Sequence, residues 1–269
     1  MRPVITLAAV LLALAQPLHA ADALSDARRF YNSGQFDAAE RAARDAARAP
    51  ATAEAARVVL GRIQLERYRR ASNSEDLSAG IAALRSVDPR GLEARDRTEL
   101  TIGLAEGLYL EDRFGAAGAL FESIIDSSAQ LGPVAHERVL DWWATALDRQ
   151  AQARPSGAAA ERARLYDRIL TRMLPEIARN PGSTPAGYWL AAAARGVGDL
   201  DRAWGEASAS WVRAVLARDR GAALRADLDK LVVQALIPER AARLPIRDHS
   251  QAIVGMVGEW DAFKARWGS

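Results

Sequence analysis

The chain has no cysteine. That excludes disulfides, thiolate metal sites, a thiol nucleophile and a lipid-acceptor cysteine, and it leaves stability to packing. Histidine is nearly as scarce. Beyond the first twenty residues only His136 and His249 occur, and neither has a second histidine at metal-ligand spacing. Nucleophile-elbow, phosphate-loop and zinc-protease patterns are missing too, so no catalytic residue, metal or cofactor is expected. The acidic pair Glu111-Asp112 reads as solvated side chains on a helical surface. No Asn-Gly hairpin or alternating apolar and polar stretch marks a strand. Charge of one sign is also lacking. With 36 basic residues against 34 acidic ones, the chain carries no strong field for nucleic acid. Among the basic residues only Lys230 and Lys264 are lysines, which names no partner.

One long apolar run is present, at the very start. In MRPVITLAAVLLALAQPLHA, Arg2 precedes an apolar stretch from Val4 to Ala15 and a short end closing on Leu18-His19-Ala20. This is the anatomy of a secretory signal peptide over residues 1–20, with cleavage expected after Ala20 and export to the periplasm. The run is short for a membrane span, and Asp22 and Asp26 follow it directly. No later segment approaches such a length, so no transmembrane helix is expected in the mature chain.

The rest of the chain reads as all-α. Alanine, the best helix former, recurs at helical spacing, and hydrophobic residues make up 49% of the sequence. Proline and glycine punctuate it at Pro50, Pro89-Arg90-Gly91, Gly132-Pro133, Pro155-Ser156-Gly157 and Pro181-Gly182-Ser183, which read as helix boundaries. A related turn occurs three times, as NSGQFDAAE, LEDRFGAAG and GVGDLDRAW. Around the second stand Thr101, Leu104, Ala105, Leu108, Ala117, Phe121 and Ile124. Around the first stand Ala27, Phe30, Phe36, Ala39 and Ala46, with Ala43 where a large aromatic is usual. Around the third stand Leu190, Ala191, Leu200, Ala203 and Ala207, with Trp204 and Trp211 beside them to fill the space an aromatic would take. Two weaker units lie between. One holds Leu60-Gly61, Leu77, Gly80, Leu84 and Val87 around a lengthened internal turn, YRRASNS. The other holds Trp142, Trp143, Leu165, Ile169, Met173 and Ile177 around the Pro155 break.

These spacings resemble the tetratricopeptide repeat, whose small and large apolar positions recur over about 34 residues in two helices. The resemblance covers roughly residues 21–215 as about five helix pairs, two of them degenerate. It implies an α-hairpin solenoid, a right-handed superhelix with C-terminal capping helices. Residues 216–269 would form the cap, with a stripe at Leu224, Leu228, Leu231, Val232, Ala235 and Leu236 ended by Pro238, then a last helix carrying Ile253, Val257, Trp260 and Trp267.

The resemblance also implies that the first helices of successive pairs line a concave groove for a protein or peptide partner. By offset, that row is Leu24, Arg28 and Tyr31, then Arg62 and Leu65, then Ile102, Glu106 and Tyr109, then Tyr188 and Arg195. Tyrosine and arginine suit a protein ligand, but the tyrosines equally suit packing between hairpins. The alternative recognition element is the last helix, through Trp260, Phe263 and Trp267. Two functions stay open: a non-enzymatic scaffold or adaptor of the cell envelope, and an accessory ligand carrier of a small-molecule transport or cell-wall system. Oligomeric state is not legible.

Overall fold

The computed structural model describes residues 20–268, and every regular element among them is helical. Apart from Ala20, the expected signal segment lies outside the described residues. No helix among the described residues is long and apolar enough to cross a membrane. The chain divides after Gly132 into two compact units.

The first unit contains α1 (20–32), α2 (Phe36–Ala46), α3 (Pro50–Ala71), α4 (Ser74–Arg85), α5 (Ala94–Leu110) and α6 (Phe114–Ser128). Each of α2 to α6 packs on its neighbour in sequence, α4 and α5 being joined through a 3-10 turn at Pro89–Gly91, and α3 also meets α5. Pro50 opens α3 at a position where its missing N–H costs nothing. The Asn73 side chain caps α4 by accepting from the Glu75 amide. Helices α3 and α4 cross at two facing glycines. A Cβ on Gly61 would lie 2.7 Å from Leu84 Cγ, and one on Gly80 would lie 2.8 Å from Leu65 Cδ2. That close approach explains Gly61 and Gly80 in an otherwise alanine-rich pair.

The recurring turn has a single backbone solution. The Gly34 amide donates to the Tyr31 carbonyl and the Gln35 amide to that of Phe30. Asp112 and Arg113 repeat this onto Tyr109 and Leu108, and Gly198 and Asp199 repeat it onto Arg195 and Ala194. This is the Schellman pattern, which satisfies the last carbonyls of one helix and needs a left-handed residue. That residue is Gly34 at φ +73°, Asp112 at +59° and Gly198 at +86°. In each case the next helix then opens with Ala39, Ala117 or Ala203 donating four residues back, and each of these alanines is fully buried. The first two copies also share an aromatic pair across the turn. Tyr31 lies 5.6 Å from Phe36, and Tyr109 lies 5.3 Å from Phe114, centroid to centroid. Glu111 and Asp112 are therefore exposed turn residues.

The second unit contains α7 (Pro133–Gln152), α8 (Ala159–Arg179), α9 (Thr184–Gly196) and α10 (Leu200–Arg213). A 3-10 segment (Ala214–Arg220) leads to α11 (Gly221–Leu231), a π-helical turn (Val232–Leu236), α12 (Ile237–Ala242) and α13 (Ser250–Trp267). Helix α9 is central: it packs against α7, α8, α10 and α11. Ser183 and Asp199 cap α9 and α10 through their side chains. Helix α13 lies on α10 and α12, and Trp260 anchors it. Its ring is fully buried, 5.7 Å from Trp204, 5.4 Å from Trp211 and stacked on Phe263. Trp204 and Trp211 thus dock the last helix rather than filling a gap within their own hairpin.

The expected apolar repeat positions are internal. Ala27, Ala39, Ala105, Ala117, Phe121, Ile124, Leu190, Ala191 and Ala203 are buried, and Phe30, Leu104 and Leu108 are partly so. Two local expectations need correction. YRRASNS is not a lengthened turn, because Tyr68 to Ala71 continue α3 and only Ser72, at φ +55°, and Asn73 form the link. Nor does Pro238 end its helix. The wider π turn ahead of it takes the chain past the proline, and α12 continues to Ala242.

Candidate functional site

In the first unit, the row expected to line a groove is turned in on itself. Leu24, Tyr31, Arg62, Leu65, Ile102 and Glu106 are all buried. Arg28 of α1 pairs with Asp96 and approaches Glu99 at 3.5 Å, both on α5. Arg62 of α3 lies 3.9 Å from Glu106 and stacks its guanidinium over the Tyr31 ring at 4.6 Å. Tyr31 also reaches Glu66 at 3.5 Å. Tyr109, partly buried, packs on Phe114. The space left among Arg28, Tyr31, Val59, Arg62 and Glu99 is about 10 Å³, the room one water needs. Burial pushes the Asp96 carboxyl up, and Arg28 only partly offsets it. Outer hollows of this unit are edged by arginines most of which are engaged, Arg29 with Asp26, Arg95 with Glu99, Arg67 with Asp37 and Glu40, and Arg70 over the Phe36 ring, while Arg41 edges one of them without such a contact.

In the second unit, the same kind of face stays open. A cleft of about 680 Å³ runs between α7, α9 and α11. Helix α7 contributes Val134, Glu137, Asp141, Thr145, Asp148 and Gln152, spaced three or four apart and so on one face, with Arg138 and Arg149 beside them. Tyr188 and Trp189 of α9 form the floor, their rings perpendicular and 5.2 Å apart. Leu224 and Asp227 of α11 close the far side.

Hydrogen bonds hold this lining in place. The Trp189 indole donates to Asp141 at 2.8 Å, and the Tyr166 hydroxyl donates to Asp148 at 2.8 Å. At one end Glu137 accepts from Asn180 at 3.1 Å and pairs with Arg220. Asp141, Asp148 and Asp227 have no cationic partner among the described residues. Desolvation by the cleft walls raises Asp141, the Trp189 bond opposes that, and the like charge of Asp227 adds to it. Tyr188 is raised first by burial, then by Asp148, Asp227 and Asp141. Its hydroxyl stays protonated and able to donate.

Of the expected groove row, only Tyr188 lines this cleft. Arg195 is engaged elsewhere, in a bidentate contact with Glu239 of α12. In the last helix Trp260 is sequestered, its indole donating to Asp229 at 2.9 Å, and Phe263 is stacked on it. Only Trp267, half exposed, remains on the surface. Asp141, Asp148 and Asp227 went unnoticed in the sequence. The α7 residues do form a polar stripe opposite the buried Val139, Leu140, Trp143 and Leu147, but such a stripe normally marks a solvated face. No group of three or more histidines, aspartates or glutamates able to hold a metal ion occurs among the described residues. No family model matches the chain, and no curated protein or solved structure is significantly similar to it.

Proposed function

We propose that the protein is an exported, non-enzymatic adaptor of the cell envelope, built from tetratricopeptide-like hairpins, that holds a protein segment in the cleft between α7, α9 and α11. The observation that carries this reading is the open cleft itself. It is long, floored by an aromatic pair and edged by side chains with hydrogen-bonding capacity to spare, which suits an extended peptide. A carrier of apolar small molecules fits it less well, because carboxylates line its middle.

Crosslinking in the native envelope followed by mass spectrometry identifies the partner and tests the site. Tyr188→Ala should weaken its capture by about 2 kcal/mol, the usual cost of truncating a central aromatic anchor, with helicity unchanged. Trp267→Ala should leave capture intact. Loss of capture in Trp267→Ala with retention in Tyr188→Ala would transfer recognition to α13. Export is checked by the intact mass of protein from the envelope fraction, which should correspond to a chain starting at Ala21.

A further inference from the structure

We infer that the segment held in this cleft presents a lysine or arginine side chain to Tyr188, between Asp141, Asp148 and Asp227. The inference rests on the groove reading above and adds the chemistry of the occupant.

The argument is charge complementarity resolved by position. The cleft carries Glu137, Asp141, Asp148 and Asp227 against Arg138, Arg149 and Arg220, so its composition is mixed. Its geometry is not. Glu137 and Arg220 neutralise each other at one end. The acidic side of α7 is the side that meets its neighbours, since Asp141 binds Trp189 of α9 and Asp148 binds Tyr166 of α8. Arg138 and Arg149 also line the cleft, but neither forms an ion pair with Asp141, Asp148 or Asp227. What remains in the middle is Asp141 and Asp148 from α7 facing Asp227 from α11, with the Tyr188 ring between.

Asp227 is exposed, and Asp141 keeps accessible surface although the cleft walls crowd its carboxyl, so a ligand can reach both. No lysine or arginine of the unit is paired with any of the three. The unit satisfies other carboxylates from its own chain: Glu176 by Arg172 and Arg179, Glu239 by Arg195, and Asp229 by Lys264. An ammonium or guanidinium seated here gains charge-assisted hydrogen bonds and a cation–π contact at once. An anionic side chain meets three like charges.

The test pans a random linear peptide display library against the folded full chain and sequences what is retained. Lysine and arginine should be enriched at one position of the retained peptides, and that enrichment should fall about tenfold in Asp227→Asn, the loss of one charge-assisted contact. Asp141→Asn should act in the same direction while still accepting from Trp189. Tyr188→Ala should abolish selection altogether. Circular dichroism and melting confirm that each variant is folded, and Asp227→Asn decides alone if Asp141→Asn is not. Selection that depends on Tyr188 but favours neutral or acidic residues overturns this inference and leaves the groove reading standing. Absence of any Tyr188-dependent selection overturns both.

Discussion

Arg62 and Tyr188 both belong to the row that the sequence leads one to expect along a groove, and they stand in opposite surroundings. Around Arg62 the row closes. Arginines on α1 and α3 face carboxylates on α5, and the glycines of α5 let the helices approach. A Cβ on Gly103 would lie 3.0 Å from Arg62 Cγ, and one on Gly107 3.1 Å from Ile81 Cγ1. Only about 10 Å³ remains among Tyr31, Val59, Arg62 and Glu99, and the wider hollow of about 530 Å³ lies at the outer end of the row, past Arg28. Around Tyr188 the row stays open at about 680 Å³. There, carboxylates of α7 face a carboxylate of α11, and no ion pair spans the middle. The same hairpin turn thus produces a sealed face in one unit and a cleft in the other, and the signs of the charges across the row distinguish them.

The largest effect is expected on opening the sealed row. Arg62→Ala removes the cation beside the buried Glu106 and the group stacked on Tyr31. Losing one partner of a buried pair costs about 3–5 kcal/mol. Chemical denaturation should show that loss, and hydrogen exchange should place it in α1, α3 and α5. A stability within 1 kcal/mol of wild type would mean that packing, not charge, closes the row.

The shared turn gives a finer contrast. Gly198 takes a left-handed conformation at no steric cost, whereas Asp112 takes the same one with a side chain. Gly198→Ala should therefore destabilise the second unit by about 1 kcal/mol, and Asp112→Gly should be neutral or stabilise the first by a few tenths. Paired denaturation curves read both. Equal and opposite to this pattern, a loss in Asp112→Gly would show that the Asp112 side chain makes a contact the turn depends on.

The smallest effect concerns the open cleft. Asp141 has its carboxyl raised in the folded protein, so the native state binds a proton more tightly than the unfolded chain does. Stability is then greatest below the ordinary carboxylate range and declines as pH rises through the raised value. Asp141→Asn removes that cost while keeping an acceptor for Trp189. It should melt slightly higher than wild type at neutral pH, and the gap should vanish in acid. The opposite sign is expected at Asp229. Burial works against its charge, but Lys264 and Trp260 hold the carboxyl below its usual range, so α13 docking weakens as pH falls through that lowered value.

Much of the architecture could be read from the residues. Helix boundaries at Pro50, Pro133 and Ser183 follow from backbone chemistry, because proline suits a first turn and serine accepts from an exposed amide. Ala39, Ala117 and Ala203 follow from the repeated turn, since a fixed backbone pattern places the same offset at each helix crossing. These are local consequences, carried by a few residues of contiguous chain. Pro238 shows the limit of local reasoning: a π turn, held by the buried Val232 and Leu236, takes the helix past a proline that would otherwise stop it.

The candidate site was legible only at Tyr188. A row of alternating Tyr, Arg and Glu has the same appearance whether it faces solvent or faces its own complement. Arg28 lies far along the chain from Asp96, and Asp227 far from Asp141, and no spacing within a helix records such meetings. Which stretches are helical, where they turn and which alanines lie inside follow from the residues alone, because those depend on backbone hydrogen bonds and side-chain size within each hairpin. Which face is sealed and which is open is set where helices far apart in the chain meet, because that depends on the sign of charge that each helix finds on the other.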